Sequence, residues 1–170
     1  MIKVLIIAFF AVFASARHFR FGDTNPLTLF LTGFNDQLNI TNAEDLDKCV
    51  SVPLLRDINK TLHDLNKTKP NYIELAADVL ALYADFQAMK KSCPIVVSGY
   101  QVYFQDFTNS TKTNPRKTFT TVVTNVAGEA TKFQQTISAA QKDFENGNYY
   151  SSGREVAIAT GIALKGYIAV

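Results

Sequence analysis

Residues 114–148 read NPRKTFTTVVTNVAGEATKFQQTISAAQKDFENGN, and the spacing of their apolar side chains decides the fold class. Phe119, Val122, Val126, Ala130, Phe133, Ile137, Ala140 and Phe144 recur at intervals of three and four. That period matches the 3.6-residue turn of an α-helix and puts the whole set on one face. Asn114 is suited to cap the helix, and Pro115 to its first position, where the missing N–H costs nothing. Asn146-Gly147-Asn148 supplies the stop. The stretch predicts one amphipathic helix of about seven turns, with a seam that other helices must cover.

Upstream segments supply those partners. Asn25-Pro26 opens a helix whose apolar face is Leu27, Phe30, Leu31, Phe34 and Leu38, weakened slightly by Gly33. Asn42 caps a second pattern, Leu46, Cys49, Val50, Leu54, Ile58, Leu62 and Leu65, in which Pro53 predicts a break with a restart near Ser51. Pro70 opens a third helix, carrying Ile73, Ala76, Ala77, Leu80, Tyr83 and Ala84 and ending near Lys91. Cys93-Pro94 starts a fourth segment, rich in β-branched and aromatic residues up to Phe107, which would also suit a strand. Its neighbours are helical and offer no strand to pair with, so it is read as helix, followed by a polar loop over Thr108–Asn114. A last helix, Tyr149–Val170, is rich in small residues, with Gly153, Ala157 and Gly161 four apart for close packing. The fold class expected is all-α: one antiparallel bundle of five or six helices over residues 17–170.

The first sixteen residues give a location. Lys3 precedes an unbroken apolar run from Val4 to Phe13, and Ala14-Ser15-Ala16 provides a small-x-small cleavage site. That order describes a secretory signal peptide, residues 1–16, cleaved to leave Arg17–Val170. The run is about half the length of a membrane-spanning helix, so no membrane span is expected. Secretion in turn makes the cysteine pair, Cys49 and Cys93, read as one disulfide. It would close a loop of about 45 residues, for which chain entropy suggests at most about 4 kcal/mol.

Four N-x-T triplets begin at Asn39, Asn59, Asn66 and Asn109, and are read as glycan acceptors in the exported chain. The formal net charge is only +2, and no Lys/Arg run exceeds the pair Lys90-Lys91, which argues against nucleic acid. His18 and His63 are isolated, so no metal site, no cofactor and no catalytic residue is assigned. His63-Asp64 is placed on an outer helix face, short of any nucleophile frame. The carboxylates Asp78 and Asp85 are read as solvated.

Asp47-x-Cys49, Cys93 some four dozen residues on, the long amphipathic helix and Phe144-x4-Tyr149-Tyr150-x2-Gly153 together resemble a family of small secreted, two-cysteine helical proteins. Such proteins are numerous in ciliates and carry no assigned activity. The resemblance covers most of the chain after the leader, and departs in the Asn/Thr richness and around Pro115. It implies export, the Cys49–Cys93 bridge and an all-α fold, without an enzyme activity or a ligand. The function expected is a secreted glycoprotein, extracellular or in a secretory granule. It would act as a structural, coat or interaction module toward a protein or cell-surface partner. The alternative is a carrier of an apolar small molecule or lipid in the bundle interior, with Tyr100, Tyr103, Phe107, Phe119 and Phe133 as lining.

Overall fold

The computed structural model describes residues 25–40, 52–67, 77–78, 81, 84–85, 88 and 93–168. The expected leader, Asn42 and Cys49 lie outside these residues. Among the described residues the fold is all-α, with seven helices and no strand. They are α1 (Pro26–Leu38), α2 (Val52–Asn66), α3 (Pro94–Tyr103), α4 (Gln105–Thr113), α5 (Pro115–Gly128), α6 (Ala130–Glu145) and α7 (Tyr149–Ala163). Ala77, Asp78, Ala81, Ala84, Asp85 and Ala88 are helical too, inside the span predicted for the third helix.

The ends of these helices follow local chemistry. Asn25 Oδ1 accepts from Leu27 N at 3.0 Å, with Pro26 in the first turn of α1. At the other end Asn39 takes the left-handed conformation (φ 55°), which Asn tolerates better than most residues. Helix α2 is described from Val52, with Pro53 in its first turn; Ser51, where the restart is expected, lies outside the described residues. Asn114 caps α5 through Oδ1, which accepts from Lys117 N at 3.2 Å.

Two expected helices are each divided, which raises the helix count. The fourth segment breaks at Phe104 (φ −97°, ψ 17°), and the seven-turn helix breaks at Glu129 (φ −124°, ψ 32°). Gly128 precedes the second break, where the chain leaves the helix most cheaply. Glu129 N then bonds the carbonyl of Val126, three residues back, at 3.3 Å. The apolar period runs straight through because α5 and α6 both pack on α7.

The polar loop expected over Thr108–Asn114 is instead mostly α4 and its cap. The Thr111 and Thr113 hydroxyls donate to the Phe107 and Asn109 carbonyls four residues back, at 2.8 and 2.9 Å. Their polarity is thus absorbed by their own helix. The last helix is shorter than expected, ending at Ala163 rather than running to Val170. Gly166 turns the chain with φ 90°, and Asn125 Nδ2 donates to the carbonyls of Ala163 (3.2 Å) and Lys165 (2.9 Å). A side chain from α5 therefore takes the orphan acceptors at the end of α7.

The centre of the fold is the crossing of α1 and α7. A Cβ on Gly33 would stand 1.9 Å from the Tyr150 carbonyl oxygen, and one on Gly153 would stand 1.9 Å from that of Phe30. The two backbones touch, each through the other's glycine. Around this contact Leu27, Phe30, Leu31, Phe34, Ala157, Ile162 and Ala163 are buried, with Phe144 of α6 edge-on to Phe30 at 6.1 Å. Ser152 Oγ, also buried, donates to the Ala140 carbonyl at 2.8 Å and ties α7 to α6.

Gly153→Ala and Gly33→Ala should each destabilise the protein by about 3 kcal/mol, since backbone rather than a movable side chain must give way. Gly128→Ala meets nothing within 4 Å and should be stabilising by about 0.5–1 kcal/mol. Urea denaturation of the three variants checks the contrast.

Candidate functional site

The four sequon asparagines lie in different surroundings. Asn39, Asn59 and Asn109 are exposed, at the end of α1, on α2 and on α4 respectively. Asn66 is half-buried at the end of α2 and faces α6. Its Nδ2 donates to Gln141 Oε1 at 2.7 Å, and its Oδ1 accepts from Ser138 Oγ (2.6 Å) and Gln134 Nε2 (3.2 Å). Gln141 Nε2 in turn donates to His63 Nδ1 (3.1 Å) and Glu145 Oε1 (2.7 Å). Every polar atom of Gln141 is occupied, and Asn66 sits at the middle of a cross-helix clamp. His63, exposed and bonded to Gln141, belongs to this clamp. The nitrogen that would carry a glycan at Asn66 is the one that holds α6.

A second polar cluster joins α2 to the helical positions Asp78 and Asp85. Asp57 and Asp64 on α2, and Asp78 across from them, are buried, and Asp85 is half-buried. Asp78 and Asp85 are therefore not solvated, and Asp64 is not on an outer face as expected. Lys60 bridges Asp64 (3.6 Å) and Asp78, Lys67 pairs with Asp64, and Arg56 Nε pairs with Asp57 at 2.8 Å. Burial raises the Asp78 carboxyl above its ordinary range; Lys60 opposes this and Asp64 adds to it. Burial and the charge of Asp57 raise Asp85 likewise. Asp64 is also pushed up by burial, but Lys67, Asp78 and Lys60 outweigh this and hold it below the usual range. One carboxyl oxygen each of Asp78 and Asp85 is buried without a hydrogen-bond partner. The signal for this cluster was present in the sequence: both helices carry aspartates seven residues apart, the spacing that returns to one face.

The aromatic residues proposed as a ligand lining are placed differently from one another. Tyr100 is wholly enclosed, its hydroxyl 3.3 Å from Asn35 Oδ1 and pushed far up by burial. Tyr103 donates to the Leu38 carbonyl at 3.1 Å, so both tyrosines brace the end of α1. Phe107 meets Tyr167 edge-on at 5.7 Å. Phe133 is buried on α6 and Phe119 half-buried on α5. Cys93 is buried at the start of α3, and no cysteine among the described residues is free.

None of those five aromatics borders the cleft of about 370 Å³ that lies along α7. Its floor is Leu38, Ala157, Ile158, Gly161 and Ile162, and its rim carries Gln37, Glu129, Lys132 and Lys165. Glu129 stands 3.7 Å from Lys132 Nζ and 3.6 Å from Lys165 Nζ. Among the described residues no group of three His, Cys, Asp or Glu is placed to hold a metal ion, and no helix is long and apolar enough to cross a membrane.

Removing the clamp with Asn66→Ala should cost about 1–3 kcal/mol, because Ser138 and Gln141 lose their partner. Asn59→Ala, on the exposed side of the same helix, should change stability by less than about 0.5 kcal/mol. Thermal unfolding compares the two. For the aspartates, a raised folded-state pKa favours the native state when protonated, a contribution lost as pH rises through that pKa. Acidification from pH 7 to about 4.5 should therefore strengthen the contribution of Asp78 and Asp85, while the loss from Asp64 begins only below the ordinary carboxylate range. Asp85→Asn should raise stability at pH 7 by about 0.5 kcal/mol and flatten that slope, read from denaturation midpoints across the range.

Compared with protein-family models, curated proteins and solved structures, the chain matches none.

Proposed function

We propose that this chain is a secreted glycoprotein that works through its surface, as a structural, coat or interaction module toward a protein or cell-surface partner. The observation that carries this reading is that Asn39, Asn59 and Asn109 are exposed while Phe30, Phe34, Tyr100 and Phe104 are enclosed. Aromatic bulk is directed into the core, and the polar Asn-x-Thr positions face solvent. A leader at residues 1–16 would deliver the chain to the compartment where such positions are modified. The likeness to small two-cysteine secreted proteins of ciliates points the same way.

The reading includes a Cys49–Cys93 bridge, supported by the buried position of Cys93 and the absence of a free cysteine among the described residues. It assigns glycans to Asn39, Asn59 and Asn109 and withholds one from Asn66, whose carboxamide is committed to α6. It assigns no catalytic residue, cofactor or metal.

Expression of the full chain in a eukaryotic secretory host tests this. The expected product is found in the medium, begins at Arg17 by mass, and loses two or three mass steps on treatment with peptide N-glycosidase. Asn39→Gln, Asn59→Gln or Asn109→Gln should each remove one step wherever that position is occupied, and Asn66→Gln should remove none. A cytosolic product with Met1 intact, or an exported one without any glycan, would overturn the reading.

A further inference from the structure

The cleft along α7 has the composition of a site for an anionic amphiphile. Its floor is apolar and made shallow-walled by small residues: Ala157 and Gly161 present almost no side chain, while Leu38, Ile158 and Ile162 flank them. At about 370 Å³ it falls at the lower end of the range for small-molecule sites. The apolar floor by itself would select only for hydrocarbon.

The rim supplies the selectivity. Lys132 and Lys165 both approach Glu129, yet at 3.7 and 3.6 Å they are at ion-pair rather than hydrogen-bond distance. Two cations share one carboxylate, so among the described lining residues the rim carries a surplus of one positive charge that a single anionic headgroup would neutralise. The lysine side chains are mostly exposed, 63% and 71%, and retain freedom to turn toward such a group. Their anchor points are firm. Lys132 stands in the first turn of α6, and the backbone of Lys165 is held by Asn125 at 2.9 Å.

We infer that this cleft binds a monoanionic amphiphile, a carboxylate with a medium-length alkyl chain, with the chain on Ile158 and Ile162 and the headgroup between Lys132 and Lys165. The site is separate from the interior aromatic set and stands whether or not the chain is glycosylated.

Decanoate, 1-decanol and acetate, each below the concentration at which it aggregates, serve as probes in calorimetric titration of the purified protein. The expected result is saturable one-to-one binding of decanoate, at least tenfold weaker binding of decanol, and none of acetate. Lys132→Ala and Lys165→Ala should each weaken decanoate about tenfold, and Glu129→Gln should tighten it severalfold. Ile158→Asp should abolish binding, with circular dichroism verifying that each variant stays folded. Absence of saturable decanoate binding, equal binding of decanol, or indifference to both lysine substitutions would overturn the inference.

Discussion

The fold depends on one steric condition: α1 and α7 meet backbone to backbone, and only glycine at positions 33 and 153 lets them. Each lacks the atom that would strike the other helix's carbonyl. This contact draws in the flanking small residues of α7 and lets Phe30 and Phe34 reach past them into the core. It also brings Phe144 of α6 onto Phe30, so that three helices share a single close-packed centre. Helices held this near leave little space for rearrangement, because interiors at native density are stiff.

Outside this centre, Leu54, Ile58, Leu62 and Leu65 of α2 and Val96 and Val97 of α3 extend the apolar core, and two polar seams that differ in character reinforce it. The α2–α6 seam is nearly saturated: Asn66, Ser138, Gln134, Gln141 and His63 satisfy one another, with Glu145 accepting from Gln141 at its edge. The seam between α2 and the positions Asp78 and Asp85 is charged and under-satisfied, with two carboxyl oxygens lacking partners. A saturated network specifies a geometry, whereas a charged one adjusts it to the protonation state of its surroundings. Helix α2 is thus held on one side by a fixed contact and on the other by one that responds to acidity.

Much of the fold was legible in the amino-acid order. The face Leu27, Phe30, Leu31, Phe34 and Leu38 is buried as its spacing requires, and the cap at Asn114 makes the bond its side chain suits. The breaks at Phe104 and Glu129 were not legible, because apolar spacing continues across both and is blind to a change of axis. Helix α4 was misread because Thr and Ser count as loop formers until their hydroxyls are seen bonded to their own helix. Gly33 looked like a weak point in a helix and is a contact point, a difference that exists only once its partner is known. The carboxylates at 78 and 85 were assigned to water by default, and the cleft along α7 joins residues more than a hundred positions apart. Of the candidate site, the sequons and the seven-residue aspartate spacing were visible in advance, but the unequal surroundings of both depend on which helix lies opposite.

The Asn125 carboxamide has a mechanical consequence. By holding carbonyls on either side of the point where α7 ends, it staples the end of that helix to one laid down about forty residues earlier. Tyr167, stacked edge-on against Phe107, backs the staple with a ring contact. Fraying usually begins at a helix end whose carbonyls face only water. Here unpeeling from that end must first break a side-chain grip from another helix.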